Sequence, residues 1–480
     1  MEHIAVLTIA TLVIALLSVL VWRKTKSVAF IIGFGFLYFW TLYGAWFTIT
    51  DSLEGEKGER YQYLFFKLFP IYIDDDYLWT LIVYALFVIV IQLTVLYFAR
   101  LPEEEILPER PLRLSHLKVI VIAGVSGLLS FLIIRPSLAA AAELSASGYA
   151  YVREGNAQIP LFTLHQILNR VALIPVMIGL AVFFGGRDNK YIVGKQTVLA
   201  FVGYMCVLTG MVVLCVLLGN RNELVFAFAA GGLFYLANTL KPNRMILAGI
   251  GAAGLVALVI VKLYRDGVFS GSGGLQTIGF QAFIETIKSN EAFAAHFSLY
   301  GAIHKAVPFT YGSSFLTLLL SAVPRNFWPD RPDDIYGYYA EHVGAIDDQG
   351  YSIHHATGWY LNFGVPGVIL GAFIFGLIWA ALFNAFYRPK QKAVFATRVF
   401  TTVCFWTFTS ALPMVIRAGP EAYKNVVIQA FLIPVVVLMI ASLKIAVKAK
   451  GPALVIDSKR RQILHPLRKI QSLPRRLGVS

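Results

Sequence analysis

The feature that most constrains this chain is a succession of about eleven apolar runs, each roughly 17–29 residues long and nearly free of charge. Hydrocarbon offers no partner to a backbone N–H or C=O, so a run of this kind crosses a bilayer as a helix. The runs fall at 3–22, 27–50, 77–99, 117–134, 161–184, 197–218, 224–240, 245–263, 358–386, 394–416 and 425–447. The run 224–240 is at the short limit. Of the 480 residues 58% are hydrophobic and only 14% charged, where soluble domains carry about 25% charged residues. The prediction is an all-α polytopic membrane protein with about eleven transmembrane helices. The first run is long and its basic residues follow it, so it reads as a first span and not as a cleavable signal.

Positive charge orients the spans. Arg23, Lys24 and Lys26 follow the first run. Arg110, Arg113 and Lys118, then Arg187, Lys190 and Lys195, then Lys241 and Arg244, then Arg388, Lys390 and Lys392 mark the same side, as does the tail from Lys448. The N-terminus is therefore expected outside and the C-terminus in the cytoplasm. The net charge of +14 is mostly in these loops and the tail, which argues against nucleic acid as a partner. Cys206, Cys215 and Cys404 all fall inside runs and imply neither a disulfide framework nor a metal site. The organisation reads as an eight-span bundle (1–263), a large outer loop with short helices (264–357), a three-span bundle (358–447) and a basic cytoplasmic tail (448–480). A loop that long is usually functional or a small domain. Within it 276–305 reads as helical, and Phe315–Val323 is apolar but too short to span.

On the outer side the arginines stand out. Arg135, Arg153, Arg221, Arg265, Arg325, Arg331 and Arg417 land on or near that face, and Arg170 lies inside a span in the half nearer it. Arginine near lipid is costly and is usually retained for function. Its planar fork suits carboxylates and phosphates. The set points to an anionic, phosphate-bearing, lipid-linked ligand. Gly219-Asn220-Arg221-Asn222-Glu223 is a tight hairpin between two spans. It reads either as a polar turn in which Glu223 neutralises a snorkelling Arg221, or as a device that leans Arg221 into a central cavity. Tyr264-Arg265-Asp266-Gly267 leaves a span at the same level, as a salt-bridged helix end or as a second phosphate contact.

Pro324-Arg325-Asn326-Phe327-Trp328-Pro329-Asp330-Arg331-Pro332 is the most distinctive string. Its prolines fix an extended path, and Trp328 offers a flat surface for a sugar ring or a membrane interface. Tyr351-Ser352-Ile353-His354-His355 then leads into the ninth run. His354 or His355 at the lip of a cavity is a candidate general base, since neutral imidazole accepts a proton near pH 7. Tyr351 is a candidate sugar contact. His342 reads as solvated, and Glu341, Asp347 and Asp348 as loop solubility before catalysis. Glycines 364, 367, 371 and 376 read as close helix packing.

An Arg-x-x-Trp-Pro-x-Arg-Pro string, a polar loop with histidine, and Tyr360-Leu361-Asn362-Phe363-Gly364-Val365-Pro366-Gly367 opening a glycine-rich span resemble the bacterial O-antigen polymerases. These are Wzy-type oligosaccharide repeat-unit polymerases, related to the O-antigen ligases. The motif likeness covers about 45 residues, and the topological likeness the whole chain. The resemblance implies a GT-C-like architecture in the bacterial inner membrane. It implies a periplasmic transfer of a growing glycan from undecaprenyl pyrophosphate onto another lipid-linked repeat unit, with membrane lipids and a chain-length regulator protein as further partners. No cofactor and no metal are expected. Asp74-Asp75-Asp76 is only a weak lookalike of a nucleotide-sugar motif. In that scheme Arg221, Arg265, Arg325, Arg331, Arg135 and Arg417 hold the pyrophosphate, His354 or His355 activates the acceptor, and displacement inverts the anomeric carbon. The rivals are a ligase and a non-enzymatic lipid-linked oligosaccharide flippase or anion transporter. A transporter should show mid-membrane charges; Arg170 and Lys262 are the main ones here.

Overall fold

The apolar runs fold as helices whose polar residues are drawn to their ends. The computed structural model describes residues 1–53, 72–100, 110–143, 161–265, 291–320, 328, 335–344, 352–388, 393–420 and 422–442. In chain order these form α1 (Glu2–Thr25), α2 (Val28–Tyr38), a π-helical turn (Phe39–Tyr43), α3 (Gly44–Leu53), α4 (Asp75–Phe98), α5 (His116–Glu143), α6 (Phe162–Gly185), α7 (Val198–Leu217), α8 (Arg221–Asn238) and α9 (Arg244–Arg265). Three short helices follow: α10 (Glu291–His304), α11 (Ser313–Leu320) and α12 (Ile335–Val343). The rest is α13 (His355–Tyr387), α14 (Phe395–Arg417), α15 (Ala422–Val426), a π turn (Val427–Leu432) and α16 (Ile433–Ser442).

Ten helices among the described residues are long and apolar enough to cross a membrane. They match ten of the eleven expected runs, and the chain is a multi-pass helical membrane protein. The eleventh run is present as α8 but falls outside that group of ten. Its first turn carries Arg221 and Glu223, and its apolar residues are buried within the bundle. α6 and α14 are central, with 72% and 78% of their apolar windows buried, against 11% for α9. α1, α5, α7 and α9 turn exposed Leu, Val and Ile outward, as lipid-facing helices do.

Hydrogen bonds between elements sort the helix ends into two groups. At one end Lys24 Nζ donates to the Leu96 carbonyl, Asn384 Nδ2 to that of Phe98 at 2.9 Å, Arg398 Nη2 to that of Arg110 at 2.7 Å, and Ser115 N to that of Ala441 at 3.0 Å. This end holds the described basic loops. It also holds a feature the all-α reading missed, a parallel ribbon of β1 (Leu112–Leu114) and β2 (Ile192–Gly194). At three residues a strand, these segments are too short to carry a periodicity signal. The opposite end gathers His3, which bonds the Asp74 carbonyl at 2.9 Å, together with α10 and the starts of α8 and α13.

The segment expected as a large outer loop is partly built into the bundle. Residues 295–302 of α10 are buried or nearly so. Tyr84 Oη donates to the His296 carbonyl at 2.7 Å, and the His296 ring lies 2.6 Å from the Thr41 carbonyl and 3.0 Å from Tyr77 Oη. α11 places Ser314 and Thr317 inward and leaves Leu316 and Leu319 exposed.

α13 is not one straight helix. Phe363 (φ −141°) and Gly364 (φ 63°) break it, and only glycine takes that left-handed conformation without strain. The fully buried Asn362 pins the break. Its Oδ1 accepts from Thr310 Oγ1 at 2.8 Å and Gly312 N at 3.1 Å, and its Nδ2 donates to the Gly358 carbonyl at 2.7 Å. The glycines then divide their work. A Cβ on Gly371 would meet the Trp359 ring at 2.4 Å, one on Gly367 the Trp359 carbonyl at 2.4 Å, and one on Gly376 the Ile91 carbonyl of α4 at 2.9 Å. Two of them thus seat the first turns of their own helix, and one seats α4.

Gly371→Ala should lower the thermal midpoint in detergent, since overpacking a filled site costs about 1–3 kcal/mol. Gly210 has nothing within 4 Å of its added Cβ, so Gly210→Ala should hold or raise the midpoint. Equal midpoints for the two variants would contradict this packing.

Candidate functional site

The end opposite the basic loops is where the chain's polar side chains converge. α7 closes through Leu218 into Gly219 (φ 66°), and the turn is fixed by Gly219 N to the Val216 carbonyl at 3.0 Å and Asn220 N to that of Cys215 at 2.8 Å. α8 therefore starts with Arg221, Asn222 and Glu223 at the bundle end. The Glu223 side chain turns inward and is only 12% exposed. There it pairs with Arg170 of α6, Nε to Oε1 at 3.2 Å, and it also accepts from Asn169 Nδ2. Arg170 Nη1 donates to Asn425 Oδ1 of α15 at 3.2 Å. With the Gln429 carboxamide turned to face it, the amide oxygen accepts from Arg170 Nε at 2.5 Å and Nη2 at 3.2 Å. Arg170 is 9% exposed. The sequence left open whether Glu223 neutralises Arg221; the bond from Arg170 to the carboxylate is one the sequence did not anticipate.

A second junction lies beside the first. Arg417, the last residue of α14, donates from Nη1 to Asn222 Oδ1 at 2.9 Å and from Nε to Ser352 Oγ at 3.0 Å. It thereby ties the α7–α8 hairpin to the segment two residues ahead of His354. After Arg417 the chain turns through Gly419 (φ 64°) and Pro420. A Cβ on Gly358 would meet Pro420 Cδ at 2.2 Å, so the first turns of α13 lie directly on this bend.

Both candidate histidines are fully buried. His354 is the N-cap of α13, its Nδ1 accepting from Ala356 N at 3.0 Å, and its backbone N–H donates to Ser298 Oγ at 2.9 Å. Its ring lies edge-on to Tyr84, with centroids 4.6 Å apart. The capping bond assigns its proton to Nε2. Burial, with the His355 and His296 imidazoles close by, pushes its pKa well below the ordinary value. His355 Nε2 accepts from Trp359 Nε1 at 3.2 Å and lies 3.3 Å from Tyr423 Oη. Tyr423 is half-buried on α15, two residues from the Asn425 that holds Arg170. His296, which the sequence did not single out, is held neutral by burial, its pKa pushed down to about 4.

The remaining expectations divide. Arg221 is half-buried beside Asn222, while Arg135 is exposed on α5. Trp328 is 37% exposed. Arg265 closes α9, and its side chain lies outside the described residues, as do Arg153, Arg325, Arg331 and Tyr351. The expected convergence of Arg221, Arg265 and Arg325 rests on those residues. His342 is exposed on α12 with Nδ1 2.8 Å from the Tyr338 carbonyl, and Glu341 beside it is exposed too. One group among the described residues has the ligand types for a metal ion: Asp74, Asp76 and His304, whose ligand atoms lie within 4.8 Å of one another. Asp74 caps α4 by accepting from Tyr77 N at 3.0 Å, and His304 pairs with Asp76 at 3.1 Å. Acids at a helix start facing a histidine at a helix end account for this group by helix-end electrostatics.

Comparison with known proteins returns no matching family model, no matching curated protein and no matching solved structure.

His354→Ala should destabilise the protein by about 0.5–2 kcal/mol through the lost cap alone. His354→Asn keeps a capping oxygen and should be milder. Thermal midpoints in detergent check this; an asparagine variant no more stable than the alanine variant would remove the capping role.

Proposed function

We propose that this protein is a membrane glycosyltransferase that polymerises lipid-pyrophosphate-linked oligosaccharide repeat units at the outer face of a bacterial inner membrane, as the resemblance to O-antigen polymerases suggests. The observation that carries the reading is the Arg417 junction. One guanidinium bonds both Asn222, beside Arg221, and Ser352, two residues from His354. Two of the expected arginines and the histidine pair thus lie at the same end of the bundle, which supports the reading.

In the proposed reaction an acceptor sugar hydroxyl attacks the anomeric carbon of the donor glycan as the bond to the pyrophosphate oxygen breaks. The charge that develops on the departing lipid pyrophosphate is met by fixed guanidinium groups, a preorganised form of stabilisation. Arg221 and Arg417 fill that role, joined by Arg265, Arg325, Arg331 and Arg135 from the rest of the expected set. The acceptor's proton needs a base. His354 spends its lone pair on the helix cap. His355 Nε2 faces the Trp359 indole N–H and the half-buried Tyr423; it releases the indole bond as Tyr423 passes it a proton and takes the acceptor's in turn. Trp328 and Tyr351 serve as sugar contacts, and a chain-length regulator is a fitting partner protein.

The buried Arg170–Glu223 pair favours a second reading, a flippase for the same lipid-linked glycan, because ionisable groups inside a bundle often line a substrate path. An assay on reconstituted protein separates the two. With lipid-linked repeat units supplied on the accessible side, the polymerase reading expects glycan ladders. Arg417→Ala should remove them while leaving the protein inserted and abundant, and Arg417→Lys should restore them only in part. His355→Ala should slow elongation by about 10²–10⁴-fold, the usual size of general-base assistance, with His354→Ala affecting rate only as far as it affects stability. Transbilayer movement of the glycan without ladders would favour the flippase. Wild-type rates from His355→Ala would end the histidine mechanism.

A further inference from the structure

Four ionisable groups, Arg170, Arg221, Arg417 and Glu223, lie where the proposed pyrophosphate would enter, and one of them is an acid. Glu223 stands on the first turn of α8, one residue from the Asn222 that Arg417 holds and two from Arg221. Its carboxylate is bonded to Arg170 and Asn169. The recess lined by Arg170, Leu173, Ile174, Glu223, Phe226 and Gln429 is filled by these side chains and has no room for a phosphate as it stands.

A buried ion pair in a membrane bundle is a costly way to obtain stability, since apolar residues of similar volume often serve as well. The other partners of Arg170 are the neutral oxygens of Asn425 and Gln429. These orient the guanidinium without neutralising it, so the carboxylate is the only full negative charge that the described contacts give it. Glu223 sits at the mouth of a glycine-hinged hairpin, on a helix terminus whose exposed N–H groups favour anions.

Resting on the polymerase reading, we propose that Arg170 is a further phosphate-binding residue and that Glu223 is its resident counter-ion, exchanged for the pyrophosphate of the incoming lipid-linked donor. In the resting protein the carboxylate keeps Arg170 paired and the recess closed. When the donor's pyrophosphate arrives, the first turn of α8 carries Glu223 out and the guanidinium fork takes the phosphate oxygens. No covalent step is involved. The exchange admits polyphosphate esters and discriminates against neutral lipids, which cannot displace a carboxylate from an arginine.

The test uses the full-length protein in detergent, with geranylgeranyl pyrophosphate, inorganic pyrophosphate and geranylgeraniol as probes. Glu223→Gln removes the competing charge and should bind geranylgeranyl pyrophosphate about tenfold or more tightly than wild type. Arg170→Gln should bind it about tenfold or more weakly, the range expected for a charged hydrogen bond. Binding of the prenylated probe well above inorganic pyrophosphate identifies the lipid as the source of the anion; equal binding identifies a free phosphate site and overturns the assignment to the donor. Unchanged or weaker binding by a folded Glu223→Gln, with wild type binding and Arg417→Gln impaired, overturns the exchange and leaves the polymerase reading intact. No binding by wild type or by Glu223→Gln overturns both. If Glu223→Gln does not fold, hydrogen exchange on wild type decides: the pyrophosphate probe should speed exchange at residues 221–226, and no change there would overturn the proposal.

Discussion

The carboxamide of Asn362 is the bond on which the opposite end of the bundle depends. A long apolar helix has no reason of its own to stop and turn. In α13 the turn is held because a single side chain bonds Thr310, Gly312 and Ser314 on one side and the Gly358 carbonyl on the other. Gly364 allows the backbone angle, and Gly367 and Gly371 leave space for Trp359. The result is a two-turn segment that presents His354 and His355 at the bundle end and rests on Pro420. Left as an unbroken rod, the same sequence would carry the two histidines along the axis of α13 and away from the bend after Arg417.

Charge inside the bundle obeys the same economy of partners. Arg170 is surrounded by Glu223, Asn425 and Gln429, contributed by α8, α15 and the π turn. Glu223 comes from α8, and Asn425 and Gln429 from one continuous span, Ala422–Ser442, so the cluster fixes how α6, α8 and that span approach. The π turn at Val427–Leu432 is placed where Gln429 must face inward, and widened turns of this type recur at functional positions.

The spans and the hairpin at Gly219 were legible in the sequence, because hydrocarbon imposes length and glycine imposes a turn. Arg417 and the histidine pair could be assigned to one end from charge bias alone. Other parts were not legible. The bond between Arg170 and Glu223 depends on which way the first turn of α8 faces, and no local pattern pairs two residues 53 apart in the chain. The burial of α10 and the bonds of His296 depend on contacts to Thr41 and Tyr77, more than 200 residues away along the chain. The role of Asn362 lay inside a motif that was visible, yet its meaning came from the 310–314 segment that folds beside it. Tyr423 carried no signal beyond being a tyrosine near a span entrance.

The small ribbon at the basic end bears on how the bundle is assembled. β1 precedes α5 and β2 follows α6, and the two strands pair in parallel from Leu112↔Ile192 to Leu114↔Gly194. The ribbon cannot close until both helices have been synthesised and returned to the side from which they started. It therefore acts as a latch on a completed helical hairpin. Leu112 N bonds the Tyr191 carbonyl at 2.8 Å, and Asn238 Oδ1 accepts from Tyr191 N at 3.1 Å, which brings the far end of α8 into the same closure. The helix that carries Glu223 at one end is thus tied at the other to the ribbon that closes the α5–α6 hairpin.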